Sequence, residues 1–174
     1  AHLRTEIEKI TADPDHLPPH LRQHVQLERD SLSNASQTKY NDLGIGAVGN
    51  AVRNIMELPL FDRSLGELIC YEPLLDVLEC LFESSEFHFH NYKCIIKAPR
   101  VSSAFTWHRD LPYLHHTTPN LITAMLCLDP INKENGATVV LPGTHQIRED
   151  QFKDSDVEIA EDQLPRDAER VTVE

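Results

Sequence analysis

At Glu83 the chain changes texture, and that change limits the fold more than any other feature. Downstream, the run Phe87-His-Phe-His-Asn-Tyr-Lys-Cys-Ile-Ile-Lys97 is rich in aromatic and β-branched residues and alternates imperfectly, a composition that suits pleated, half-buried strands. Further strands are predicted around Phe105–Asp110, Leu121–Leu128, Thr138–Leu141 and Arg170–Val173. Turn signals separate them at Ala98-Pro99, Asp129-Pro130, Asn135-Gly136 and Pro142-Gly143. Upstream the periodicity is helical. Leu3, Ile7 and Ile10 predict an amphipathic helix over residues 2–10, stopped by Asp13-Pro14. Helices are also expected over Pro19–Asp30 and 45–57, with a polar surface segment at Ser31–Asn41 between them. Ser64-Leu-Gly-Glu67 reads as a capping box opening a further helix, which Pro73 divides from the run Leu74–Phe82. A helical 1–83 backing a strand-rich 84–174 makes one α+β domain with a barrel or sandwich core.

Charge narrows the partners. With 16 Lys and Arg against 28 Asp and Glu, the formal net charge is −12. No cluster of basic residues offers a face to phosphates, so a nucleic-acid surface is not expected. A small molecule or a cationic partner fits better. No apolar run approaches the ~18 residues of a membrane helix, and the first residues do not form a signal peptide, so a soluble protein is expected. Cys70, Cys80, Cys94 and Cys127 are spaced too widely for a zinc knuckle and stand in apolar runs. They read as reduced core residues of a cytoplasmic protein.

The sharpest chemical feature is Trp107-His108-Arg109-Asp110. On a strand, residues i and i+2 share a face roughly 6 to 7 Å apart at the backbone, so His108 and Asp110 can converge on one ion. They would make two thirds of a 2-His-1-carboxylate face, an arrangement that leaves positions open on iron(II) for a 2-oxo acid and oxygen. Alone, the pattern is weak, because a chain with this many His and Asp contains ~0.7 His-x-Asp by chance. A surface His and Asp near a strand end would look the same.

What strengthens it is the order of motifs around it. The segment Pro-Leu-Leu-Asp-Val-Leu-Glu79 is followed by Lys97-Ala-Pro, Trp-His-Arg-Asp-Leu111, Met125-Leu-Cys-Leu-Asp-Pro130, Glu134-Asn-Gly136 and Leu-Pro-Gly-Thr-His145. Over most of residues 45–146 this succession resembles the phytanoyl-CoA dioxygenase family. The resemblance implies a double-stranded β-helix (jelly-roll) core preceded by helices, with Fe(II) as cofactor and 2-oxoglutarate as cosubstrate. It also implies that His108 and Asp110 are the first two iron ligands. Lys97 and Lys93, which share a predicted strand face, become candidate contacts to a 2-oxoglutarate carboxylate; the alternative for either, and more so for Lys93, is a solvated strand lysine. Met125 occupies a position that often touches the cosubstrate, or is plain core.

The other histidines fit the resemblance less well. His145 belongs to a Pro-Gly-Thr-His turn, generally structural in the family. His115 and His116 follow Asp110 on a loop where solvated histidines are common, and His20, His24, His88 and His90 have no ligand partner in sequence. The family's third iron ligand and its 2-oxoglutarate-binding Arg follow a Gly-Asp turn and a further strand. Arg170-Val-Thr-Val-Glu174 resembles the strand before that turn, so the natural protein is expected to be longer.

Retention of Asp110 points to hydroxylation, because halogenating relatives put a small residue there. Two rivals remain: a non-catalytic binding domain that keeps the barrel without a complete metal site, and a cupin-like metal enzyme of other chemistry, which would need a His-rich motif absent here. The substrate and the oligomeric state stay open, since pocket-lining loops set the substrate.

Overall fold

The structure is a computed structural model that describes residues 2–32, 51–102, 104–114, 116, 118–147 and 158–174. The expected segment Ser31–Asn41 from residue 33 on, the first part of the expected helix 45–57, and His115 lie outside the described residues. Contacts divide the chain into two compact units, Ala1–Ser103 and Ala104–Glu174.

The first unit opens with helix α1 (His2–Ala12), which turns Ile10 inward with Leu3 and Ile7 packed beside it. As expected, Asp13-Pro14 ends it, and a single 3-10 turn follows at Pro14–His16. The expected helix Pro19–Asp30 is instead broken in three: α2 (Pro19–Arg22), β1 (Val25–Leu27) and α3 (Glu28–Leu32). Val25 and Leu27 are buried on one face while Gln26 is exposed, and this period-2 pattern marks a strand. The expected helix over 45–57 is corrected in the same way. Its described part is β2 (Val52–Met56), paired antiparallel to β1 on one side and to β3 (Lys93–Ile95) on the other. Apolar spacing that also reads as helical is overridden here by pairing on both edges.

Leu27, Ile55 and Leu65 are almost fully buried and, with Ile10, Val25, Val52 and Leu58, form the core between α1 and the sheet. The polar exceptions are Glu28, which has no exposed surface, and Arg53. Arg53 Nη1 lies 3.3 Å from Glu28 Oε2, and Ser102 Oγ donates to Oε1 at 2.7 Å.

Past the sheet's second strand, Asp62 rather than Ser64 caps α4 (Arg63–Glu67), accepting from the Ser64 amide at 2.8 Å. Those Ser64 hydrogen bonds hold the Asp62 carboxyl below its ordinary pKa. Helix α5 (Glu72–Phe82) ends at Glu83, whose φ of 52° is left-handed. The predicted strand over 87–97 shrinks to β3, because β2 offers partners only opposite Lys93–Ile95. Upstream, Phe87 stacks on Phe82 and Phe89 meets Tyr92 edge-on, so these rings close locally.

In the second unit, the predicted strands Thr138–Leu141 and Arg170–Val173 appear as the short antiparallel pair β4 (Val139–Val140) and β5 (Val171–Thr172). They are extended by Val173 N donating to Thr138 O at 2.9 Å. The turn before β4 is tied by two asparagines. Asn132 Oδ1 accepts from the amides of Glu134 and Asn135, while Asn135 Oδ1 accepts from the Asn132 amide at 2.7 Å. Gly136 takes φ 93° there, a conformation that costs glycine least. Among the described residues Leu121–Leu128 enters no ladder, and Phe105–Asp110 contributes only an isolated bridge at His108. Both expected strands are therefore corrected: without a hydrogen-bonding neighbour an extended segment is not a strand.

The chain is thus a mixture of helices and small antiparallel sheets, one of order β1-β2-β3 and one of β4-β5. Among the described residues these ladders do not trace a double-stranded β-helix. The helical reading of 1–83 is corrected by β1 and β2. The cysteines are corrected as well: all four are free, but Cys70, Cys80 and Cys127 are exposed rather than core, and only Cys94 is half-buried. No helix among the described residues is long and apolar enough to cross a membrane.

Two outcomes follow from this packing. Glu28→Ala leaves the Arg53 guanidinium buried without its carboxylate and should cost about 3–5 kcal/mol, seen as a lower urea midpoint at unchanged slope. Burial pushes the Cys94 thiol up to about 11, so at pH 8 it stays protonated and unreactive. Timed alkylation read by mass spectrometry should label exposed Cys70, Cys80 and Cys127 well before Cys94.

Candidate functional site

The His108–Asp110 pair is assembled by a turn rather than by a strand. His108 forms a single antiparallel bridge with Glu158, after which α6 (Asp110–Leu114) begins at Asp110 itself. Pro112 explains the switch: its fixed φ and missing N–H suit the first turn of a helix and spoil a ladder. A carboxylate in that first turn also meets the positive end of the helix dipole. The shared-face argument from strand spacing is therefore corrected. Helical winding nevertheless brings His108 Nε2 to 3.5 Å from Asp110 Oδ1, with both side chains about 40% exposed.

Each of the two side chains has an orienting contact. His108 Nδ1 lies 2.8 Å from Thr106 O. A carbonyl only accepts, so Nδ1 carries the proton and Nε2 is the nitrogen that faces Asp110. Thr123 Oγ1 stands 3.5 Å from Asp110 Oδ2, on the carboxylate oxygen away from His108. A ring nitrogen and a carboxylate oxygen 3.5 Å apart are a donor pair that could share one divalent cation. Imidazole and carboxylate are also the donor types that iron(II) takes in a facial triad. They supply two places of three. Among the described residues no group of three His, Cys, Asp or Glu side chains is gathered as a metal site.

The candidate cosubstrate contacts are divided between the two units. Lys93 is exposed on β3. Lys97 lies two residues past the end of β3 rather than on it and is half-buried. Burial, then the Arg53 charge, push its ammonium below the usual lysine pKa, against a pull upward from Glu28. Both lysines belong to the first unit, whereas Met125 is in the second, 58% exposed, with its Sδ 3.8 Å from Thr138 Oγ1. His145 sits on the 3-10 turn Thr144–Gln146, directly after Gly143 at φ 81°. His88, His90 and His116 are exposed.

Sequence reasoning missed Trp107 and Glu161, which are joined by a 2.7 Å hydrogen bond from the indole Nε1 to Oε2. The signal was only that Trp107 is the single tryptophan and stands next to His108. An open cleft of about 860 Å³ in the first unit, lined by Pro59, Leu60, Phe61, Asp62, Glu67 and Cys70 among others, includes none of the candidate residues. Its charged pair, Arg63 and Glu67, is ion-paired at 3.3 Å and largely exposed, and we assign the cleft no chemistry.

Comparison with known proteins matches the chain to one family. The chain is 25% identical over 122 residues to a probable alpha-ketoglutarate-dependent hypophosphite dioxygenase of Stutzerimonas stutzeri, covering 70% of this chain and 42% of that protein. It is 23% identical over 124 residues to an L-proline trans-4-hydroxylase of Streptomyces griseoviridis, covering 69% of this chain and 46% of the relative. It therefore spans less than half the length of either relative. No solved structure matches it. The profile of phytanoyl-CoA dioxygenase (PhyH) matches residues 4–174, nearly end to end, and the chain belongs to the phytanoyl-CoA dioxygenase family, whose cofactor and cosubstrate are Fe(II) and 2-oxoglutarate.

Proposed function

We propose that residues 1–174 belong to a single oxygenase domain of double-stranded β-helix type that uses Fe(II), 2-oxoglutarate and O2 to hydroxylate a small-molecule or carrier-bound substrate. The observation that carries this reading is the approach of His108 Nε2 to Asp110 Oδ1 at 3.5 Å within a chain matched to the family along 4–174. The two relatives are named for small molecules, hypophosphite and L-proline, which supports a small substrate. A non-catalytic domain is not favoured, because one relative is named a dioxygenase and the other a hydroxylase, and the chain keeps His108 and Asp110. Four free cysteines support a cytoplasmic setting.

In this reading His108 and Asp110 hold the metal. The Thr106 carbonyl keeps the His108 proton on Nδ1, so Nε2 keeps its lone pair for the ion. Thr123 occupies Asp110 Oδ2 and leaves Oδ1 as the ligand oxygen. Bound iron(II) supplies the redox chemistry that couples oxygen to decarboxylation of 2-oxoglutarate and hydroxylation of substrate. Lys97 binds a carboxylate of 2-oxoglutarate: its desolvated ammonium pairs more strongly with an anion than a solvated one does. Lys93 and Met125 are exposed and join the cosubstrate contacts only through the family pattern.

His108→Ala and Asp110→Ala should each weaken metal binding and abolish 2-oxoglutarate turnover, followed as succinate release with the full-length protein. Wild-type turnover in either variant removes the assignment. Lys97→Met should raise the 2-oxoglutarate dissociation constant roughly tenfold, the loss of one charge-assisted hydrogen bond. Because the Lys97 pKa is lowered, its positive charge is lost as pH rises through a value below the ordinary lysine range. Wild-type affinity should therefore weaken on that alkaline limb, and Lys97→Met should lack the limb when titrated calorimetrically.

A further inference from the structure

We propose that Glu161 is a positioning residue for the His108–Asp110 pair, acting through Trp107; the proposal rests on the metal reading given above. Two side-chain contacts converge on the residue before His108, and a third joins the two groups that make them. The Trp107 indole donates to Glu161 Oε2 at 2.7 Å. The other carboxylate oxygen, Oε1, is ion-paired to Arg170, and the Arg170 guanidinium lies 5.9 Å from the centre of the Trp107 ring. Indole, carboxylate and guanidinium thus form a closed triangle in which each group touches the other two.

The backbone is fixed at the same place. Ile159 N donates to Trp107 O at 2.7 Å, and His108 bridges Glu158. Residues 158–161 therefore hold Trp107 by its carbonyl and by its side chain at once. The consequence reaches His108 through geometry alone. The His108 ring is oriented by Thr106 O at 2.8 Å, and Trp107 is the peptide link between that carbonyl and the ring. Rotation of Trp107 would turn Thr106 O away from Nδ1, releasing both the tautomer and the direction of Nε2.

The triangle is poorly suited to a mainly stabilising role. The Glu161 and Arg170 side chains are 65% and 47% exposed, and ion pairs so open to water contribute little to folding. An exposed cation–π contact is similarly modest. What such a closed set does well is restrict direction, since hydrogen bonds weaken steeply away from their preferred angles.

The test uses Trp107, the one tryptophan in residues 1–174, as a fluorescence reporter whose emission is assigned by difference against Trp107→Phe. Co(II) is the probe, titrated under nitrogen and followed by quenching of that emission and by equilibrium dialysis. Glu161→Ala should weaken Co(II) binding roughly tenfold, the scale of losses on removing groups that orient metal ligands, and should shift the Trp107 emission, with little change in Tm. Glu161→Gln keeps an oxygen for the indole N–H and should recover most of the affinity. Asp162→Ala, the same charge change one residue along, should change neither. Trp107→Phe keeps a ring but loses the donor and should weaken Co(II) binding by dialysis to a similar extent, which tests the proposal even if Glu161→Ala folds poorly. If His108→Ala loses Co(II) while Glu161→Ala and Trp107→Phe bind it as the wild type does, the positioning role is overturned and the metal assignment stands. If His108→Ala and Asp110→Ala bind Co(II) like the wild type, both fall.

Discussion

The first unit is organised around a carboxylate with no exposed surface. Glu28 stands where β1 passes into α3, bonds Arg53 of β2, and accepts from Ser102 beyond β3. Its amide donates to Ala51 O at 2.9 Å. One residue therefore ties together segments that are remote in sequence. A buried charge is costly unless it is both paired and hydrogen-bonded, so neither Arg53 nor Ser102 is free to move independently of it. The same arrangement sets the electrostatics around Lys97, where burial and the Arg53 charge oppose the Glu28 charge.

A second kind of constraint builds the His108–Asp110 pair. Here the geometry comes from a change of backbone state between two residues: an isolated bridge at His108 and a helix start at Asp110. Had the chain continued as a strand, the two side chains would have shared a face at a greater separation. The helical turn instead carries Asp110 back toward the imidazole, and the orienting groups at Thr106 and Thr123 leave Nε2 and Oδ1 as the facing atoms.

Local rules explain which parts of this were legible in sequence. Helix α1, the stop at Asp13-Pro14, helix α5 and the turns at Asn135-Gly136 and Pro142-Gly143 depend on neighbours within a few residues, and periodicity and turn chemistry find them. Strand β2 was misread because Val52, Ile55 and Met56 satisfy a helical spacing, and only pairing with β1 and β3 decides the matter. The predicted strand at Leu121–Leu128 failed for the converse reason: its composition is right, but no ladder partner is supplied among the described residues. His108 and Asp110 stand out in sequence by their types and spacing, while Glu161 does not, because it lies 54 positions from Trp107.

The two units also differ in what holds them. The first has a contiguous apolar core from Ile10 to Leu65, whereas in the second Leu141 and Leu164 are the buried hydrophobic residues among those described, and Met125, Leu126 and Val173 are largely exposed. Apolar burial is non-directional and tolerates small shifts, but polar contacts lose strength quickly when tilted. The geometry around His108 is therefore set mainly by directional bonds: the Trp107–Glu161–Arg170 triangle, the bridge to Glu158 and the Thr106 carbonyl. A region with few buried apolar contacts lies toward the low end of local stability, where ligand-binding segments are commonly found. A cation held by His108 and Asp110 would bind the ordered arrangement in preference to a disordered one, so binding and local ordering should be linked, with each stabilising the other.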